Sequence, residues 1–243
     1  VARYGLIGRH LSHSFSQRYF TEKFTREGLS DHRYDLFELE RIDQLSDLIA
    51  ETPGLVGLNV TIPYKQAVIP HLDAVDPIAA AVGAVNTIRL HEGRLTGHNT
   101  DVEGFRSTLL PMIGSSRPRA LVLGSGGASR AVVFVLRELG IKFRVVSRSR
   151  ETGDITWDQL DPALVGVCPL IINTTPLGMY PNVDDMPAVP MAAVGPKHWL
   201  IDLIYNPDRT RFLYAGEANG ARTANGLVML HAQAEAAWSV WNS

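Results

Sequence analysis

Two stretches of this 243-residue chain carry side chains that can do chemistry. In the first, Asn59-Val60-Thr61-Ile62-Pro63-Tyr64-Lys65, polar side chains stand at the C-terminal end of an apolar run of strand length, and a proline suited to the first turn of a helix follows. Ligands collect at such strand ends. Lys65 lies about 36 residues before Asp101, so the spacing alone does not bring the two together, and either can be an ordinary surface charge. In the second, Gly124-Ser125-Gly126-Gly127 links the apolar run Arg119–Leu123 to a helical pattern over Ala128–Leu139. A strand, a glycine turn and a helix aim backbone N–H groups and a positive helix end at one spot, which suits a pyrophosphate. Ser129 stands where the dinucleotide fingerprint has its third glycine, so the match is imperfect. The next strand, Phe143–Ser147, ends in Ser147-Arg148-Ser149-Arg150, where such units read the adenosine ribose. No carboxylate is there to bind a free 2′-hydroxyl. An arginine among small hydroxyls suits the 2′-phosphate of NADP, although an arginine-bearing strand end can equally face water.

The elements that must hold these residues alternate between strand and helix length, which means α/β. The pattern predicts strands at Tyr4–Ile7, Arg33–Glu38, Val56–Thr61 and Thr87–His91, with helices near Ser14–Glu27, Ile42–Glu51, Lys65–His71 and Pro77–Val82. Gly93, Gly97 and His98-Asn99-Thr100-Asp101 lead to a helix over Val102–Leu110 that breaks at Pro111, and the stretch 114–118 reads as a hinge. Beyond the βαβ unit, strands Leu170–Asn173 and Trp199–Ile204, a short helix Thr210–Glu217 and a closing helix Leu227–Trp241 are expected. Segment 151–169 has little helical periodicity before Leu164 and predicts a loop with at most a short helix. Two lobes with a cleft between them follow, the first running over 1–101 and completed by a terminal helix at about 223–243, the second over 102–222.

Composition narrows the function classes. The apolar fraction of 45%, the charged fraction of 20% and a formal net charge of −2 give an ordinary globular chain with no global field for nucleic acid or anionic lipid. No apolar run approaches bilayer length, Val1–Gly8 lacks the marks of a secretion signal, and the single cysteine, Cys168, reads as a small buried hydrophobe. A cytoplasmic location is expected, with a small molecule as partner rather than nucleic acid or membrane. Eight histidines form no His-Glu-x-x-His or similar pair, so no metal is expected.

Eight ordered motifs together resemble one family: Ser12-His13-Ser14-Phe15-Ser16, Asn59 to Lys65, Gly83-Ala84-Val85-Asn86-Thr87, Gly97 to Asp101, Gly124 to Ala131, Asn173-Thr174-Thr175-Pro176-Leu177-Gly178-Met179, Asp202-Leu203-Ile204-Tyr205-Asn206-Pro207, and Gly226 to Leu230 followed by Gln233. The chain resembles the shikimate dehydrogenases nearly end to end. That resemblance implies a two-lobed α/β protein, an N-terminal substrate lobe with a Rossmann-like, doubly wound NADP lobe, acting in aromatic amino-acid biosynthesis as monomer or homodimer. It implies that Ser14 and Ser16 hold the substrate carboxylate with Tyr205 nearby, and that Asn59, Thr61, Asn86, Asp101 and Gln233 hold the ring hydroxyls. Lys65 and Asp101 look like the catalytic pair. The cofactor side would comprise Gly124, Ser125, Gly126, Gly127, Ala128, Ser147, Arg148, Ser149, Thr174, Gly178, Gly226 and Met229. Gln233 shares a helix face with Met229, and in the family that face looks into the cleft. His13 and His98 adjoin these residues, and the neutral hydrogen-bonded role is expected of both.

Three departures stand out. Gln17 replaces the family's usual proline, with a small change of loop stiffness expected; Ser125 replaces a commoner alanine; and the helix that usually follows the arginine-bearing turn is missing from 151–169. Rival readings are a quinate/shikimate dehydrogenase with broader cofactor use, and a non-catalytic NADP or shikimate sensor, against which Lys65 and Asp101 both speak. Tyr19 and Lys23 carry the Tyr-x-x-x-Lys spacing of short-chain dehydrogenases, but they precede the glycine turn and read as positions of an amphipathic helix.

Overall fold

The computed structural model describes residues 1–11 and 14–243. Ser12 and His13, both in the first motif above, lie outside the described residues. The chain divides into two compact units, 1–100 with 234–243, and 101–233.

In the first unit the order is β1 (Ala2–Gly8), α1 (Phe15–Arg26), β2 (His32–Glu38), α2 (Leu45–Glu51), β3 (Leu55–Val60), α3 (Tyr64–Ala67), β4 (Ala74–Val75), α4 (Pro77–Val82), β5 (Thr87–His91) and β6 (Arg94–His98). They build a six-stranded sheet ordered β2-β1-β3-β5-β6-β4. β1 pairs in parallel with both β2 and β3, while β5 runs antiparallel to β3 and β6. The strand β6 is not among the strands that the sequence pattern predicts. Its only fully buried residue is Gly97, so it shows no apolar alternation, and its register comes from the tight turn at Glu92 and Gly93, both at positive φ. Local chemistry sets the helix ends. Asp76 caps α4 through the N–H groups of Ile78 and Ala79, Pro77 opens the helix, and left-handed Gly83 closes it.

One face of this sheet packs an aromatic cluster of Tyr4, Phe20, Phe24, Tyr34 and Trp241 with Ala234 and Ala237; the last three come from the terminal helix. A charge cluster fastens that helix to α1. The buried Lys23 Nζ lies 2.9 Å from both Glu27 Oε1 and Glu235 Oε2, and the Tyr19 hydroxyl also donates to Glu235. The Tyr-x-x-x-Lys spacing is thereby accounted for as packing.

In the second unit the order is α5 (Asp101–Ile113), β7 (Ala120–Leu123), α6 (Gly127–Glu138), β8 (Phe143–Ser147), β9 (Ile155–Thr156), α7 (Pro162–Val167), β10 (Leu170–Asn173), β11 (Trp199–Asp202), α8 (Arg211–Ala218), β12 (Arg222–Ala224) and α9 (Leu227–Trp241), the last continuing into the first unit. The sheet, ordered β12-β11-β10-β7-β8-β9, pairs in parallel throughout. Its central strands are apolar on both faces, as a parallel sheet covered by helices requires. Pro111 does not break α5, which runs on to Ile113. A proline in the last turn forfeits one intrahelical bond, and burial of Leu109 and Ile113 holds the helix through it. Segment 151–169 contains the short helix α7 and also the unexpected edge strand β9. Asp154 fixes that stretch to β8, its carboxylate accepting from the Val145 N–H at 2.7 Å and its own N–H donating to the Val145 carbonyl at 2.9 Å. Cys168 is buried. Among the described residues no helix is long and apolar enough to cross a membrane.

Candidate active site

In the first unit, sheet register gathers three polar motifs at one end. Asn59 at the end of β3 pairs with Thr87 at the start of β5, and Thr87 pairs with His98 at the end of β6. The motifs around Asn59, Asn86 and Thr100 therefore meet although they are far apart in sequence. Asn86 is buried; its Oδ1 accepts from the Thr100 N–H at 2.7 Å and its Nδ2 donates to Thr100 Oγ1 at 3.0 Å. Asn59 is also buried and donates to Thr87 Oγ1 at 3.2 Å. Ser14 caps α1, its hydroxyl oxygen accepting from the Gln17 N–H at 3.4 Å, which leaves its hydrogen to donate elsewhere. Gln17 thus lies inside a helical turn rather than in a loop, and its N–H is one a proline would lack.

Thr61 and Lys65 follow on the next segment, both half-buried. The Thr61 carbonyl accepts from the Tyr64 N–H at 2.9 Å, and the Lys65 carbonyl accepts from the Val85 N–H at 2.7 Å, which ties α3 to the Asn86 segment. His98 Nδ1 stands 2.9 Å from Asp76 Oδ2, and burial outweighs that carboxylate to push the imidazole below its usual range, so the ring is neutral at neutral pH.

In the second unit the chain leaves β7 for β8 on one side while β10 flanks it on the other, which makes the C-terminal ends of β7 and β10 a topological switch point. Gly124 follows β7 and Thr174 follows β10, and they touch. Thr174 Oγ1 donates to the Leu123 carbonyl at 2.7 Å, and Gly124, at φ +102°, has no room for a Cβ, which would stand 3.0 Å from that hydroxyl. Ser125 Oγ lies 3.0 Å from Ser147 Oγ, which is itself 2.6 Å from Thr152 Oγ1. Ser147 is buried, Arg148 and Arg150 are exposed, and Ser149 Oγ accepts from the Glu151 N–H at 3.0 Å.

Gly178 packs beside the Asp185 carbonyl and Thr210. Gly226 donates to the Ile204 carbonyl at 2.9 Å beside the Tyr205 loop, and a Cβ there would overlap the Leu203 carbonyl. Asp101 opens α5, and one turn on, Gly104 meets Met229 and Gln233 of α9. Gln233 Nε2 donates to the Leu230 carbonyl at 3.0 Å.

Two buried groups that open motifs of the sequence but have no role assigned there organise this end of the second sheet. The Asn173 Oδ1 accepts from the N–H and hydroxyl of Thr175, at 3.0 and 2.7 Å, while its Nδ2 donates to Asp202 Oδ1 at 3.0 Å. Asp202 also accepts from the Ile204 N–H at 3.1 Å and from Thr210 Oγ1 at 2.7 Å. Burial nevertheless raises its carboxyl to about 6.

The glycine turn fits a dinucleotide pyrophosphate. Gly126 caps α6 with no side-chain bond, so the first-turn N–H groups of Gly127, Ala128 and Ser129 are not taken by a capping side chain, and a Cβ at Gly126 would meet nothing within 4 Å. Polar hydroxyls and amides at the first unit's sheet end suit a polyol, adding hydrogen bonds without buried charge.

Comparison with known proteins agrees with both units. The family model described as the shikimate dehydrogenase substrate binding domain matches residues 6–88. An NADP(+) shikimate dehydrogenase of Clostridium beijerinckii is 40% identical over 98% of this chain and 91% of its own. The solved shikimate 5-dehydrogenase of Thermus thermophilus, in complex with NADP(H) and shikimate, superposes with a TM-score of 0.88 at 31% identity, covering 99% of this chain and 93% of that one. A quinate dehydrogenase of Corynebacterium glutamicum, in complex with NAD, also gives a TM-score of 0.88, at 27% identity over 99% and 93% of the two chains. At such identity over nearly the whole length, this chain belongs to the shikimate dehydrogenase family.

Proposed function

We propose that this protein catalyses the reversible NADP-dependent reduction of 3-dehydroshikimate to shikimate, an oxidoreductase step on a CH–OH group in chorismate and aromatic amino-acid biosynthesis. Identity of 40% over 98% of this chain to an NADP(+) shikimate dehydrogenase carries this reading. The unit of 1–100 with 234–243 is the substrate side and the all-parallel unit the NADP side. A chain with one cysteine suits the cytoplasm.

The reaction needs a hydride at the ring carbonyl carbon and a proton at its oxygen. NADPH supplies the hydride when bound, held by the glycine turn Gly124–Gly127, by Thr174, and at its 2′-phosphate by Arg148 with Ser149. Lys65 is the residue for the proton: its ammonium donates to the carbonyl oxygen in reduction and takes the proton back in oxidation, and Asp101 is the second catalytic residue that the family resemblance implies. Ser14 and Ser16 donate to the substrate carboxylate. Asn59, Thr61 and Asn86 bond the ring hydroxyls, a pattern that rejects analogues lacking them. Incubation of 3-dehydroshikimate with NADPH deuterated at the transferred position tests this, and shikimate carrying deuterium on the former carbonyl carbon is the expected product. Absence of shikimate would refute it.

A further inference from the structure

Thr152 stands just beyond the Ser147-Arg148-Ser149-Arg150 run and has no role assigned by type or spacing, yet it grips both neighbours of Arg148. On one side its Oγ1 lies 2.6 Å from the hydroxyl oxygen of buried Ser147. On the other, its N–H and its hydroxyl both donate to the Ser149 carbonyl, each at 3.3 Å. The hydrogens balance along this chain. A carbonyl can only accept, so the Thr152 hydroxyl hydrogen goes to Ser149; Ser147 then donates to Thr152, and Ser125, with its oxygen 3.0 Å away, donates to Ser147. The Ser149 hydroxyl stays outside the chain. It accepts from the Glu151 N–H at 3.0 Å and keeps its own hydrogen for a ligand.

The far end of the turn is anchored as well. Gly153 comes so close to β8 that a Cβ on it would stand 2.6 Å from Ser147 Cβ, and Asp154 bonds both backbone groups of Val145. Arg148 itself is exposed, so the turn beneath it, rather than packing around its side chain, decides where the guanidinium starts from. We propose that Thr152 is a positioning residue for recognition of the 2′-phosphate. By fixing the backbone on either side of Arg148 its hydroxyl removes an ordering cost that cofactor binding would otherwise bear, and it does so only for the cofactor that uses the guanidinium. The inference rests on the reading that Arg148 and Ser149 take the 2′-phosphate of NADP.

The test is the Kd of NADP and of NAD for the full-length protein and for Thr152→Val, Thr152→Ser, Arg148→Ala and the Thr152→Val, Arg148→Ala pair. Valine keeps the branched shape and the N–H bond to Ser149 and loses only the hydroxyl. Ser147 can then turn its hydrogen to Ser125, so no buried donor is orphaned, and the exposed position of residue 152 lets the variant fold. Thr152→Val should raise the Kd of NADP roughly 5-fold and leave that of NAD unchanged. Thr152→Ser keeps the hydroxyl and should bind NADP as the unsubstituted protein does. In the Arg148→Ala background, Thr152→Val should add nothing. If Arg148→Ala leaves NADP binding unchanged, the 2′-phosphate reading fails and takes this proposal with it. If Arg148→Ala weakens NADP, the role of Thr152 alone is overturned by a Thr152→Val variant that binds NADP normally, by an equal loss for NAD, by the same loss in Thr152→Ser, or by losses at the two positions that multiply.

Discussion

Gly104 in α5 approaches α9 so closely that a Cβ on it would stand 2.6 Å from the Met229 carbonyl oxygen and 3.1 Å from Gln233 Cβ. An alanine in a helix interior gains about 1 kcal/mol over glycine, whereas forcing a methyl against a packed backbone costs about 1–3 kcal/mol. The clash should win. Gly104→Ala is expected to lower stability by up to about 2 kcal/mol and, by displacing Gln233, to raise KM for shikimate. Urea unfolding and steady-state kinetics check this; a more stable variant with unchanged KM would show that the helices separate freely.

Asp202 carries a pH signature. Its carboxyl is raised by burial from the ordinary 3.8 to about 6 in the folded state, so between those values the folded protein binds more protons than the unfolded chain. The contribution is therefore fully present below pH 4 and is lost as pH rises through 6, by on the order of 3 kcal/mol. Asp202→Asn keeps the shape and cannot titrate. Its stability relative to the unsubstituted protein should improve as pH rises from 4 to 7 in urea titrations. A constant difference would show that the three donors to Asp202 cancel its burial.

Lys65 as proton donor predicts that Lys65→Ala lowers kcat by roughly 10²–10⁴, with a smaller effect on KM. Single-turnover and steady-state rates measure it. Near-normal turnover would transfer the proton to another group.

Arg148→Ala should weaken NADP by about 1.5–3 kcal/mol, roughly 10- to 150-fold, and leave NAD almost unaffected, since only the 2′-phosphate calls for the guanidinium. Exposure of Arg148 draws the effect toward the low end through salt screening. Binding titrations with both cofactors decide it, and equal losses for the two would place the phosphate elsewhere.

Much of this architecture was legible before any coordinates. Apolar runs such as Leu170–Asn173 and the glycine turn after β7 mark the parallel sheet because both faces of its strands are buried and a turn there needs glycine. What escaped has physical reasons. β6 holds a glycine and no alternation, β9 and β12 are two- and three-residue edge strands, and Pro111 sits where α5 can spare a bond. The site residues on motifs stood out by type and spacing. Thr87, Asn173 and Asp202 stand in those motifs yet carried no role of their own, because a polar side chain in a strand announces nothing until the register brings its partner from a distant segment, as β3 and β5 bring Thr87 to Asn59.

The most direct test is kcat/KM for shikimate and for quinate, each with NADP and with NAD, followed through absorbance of the reduced nicotinamide. Shikimate with NADP should give the highest value, with NAD at least about 10-fold lower. No turnover of shikimate would contradict the assignment as an enzyme, and a preference for quinate with NAD would make the protein a quinate dehydrogenase instead.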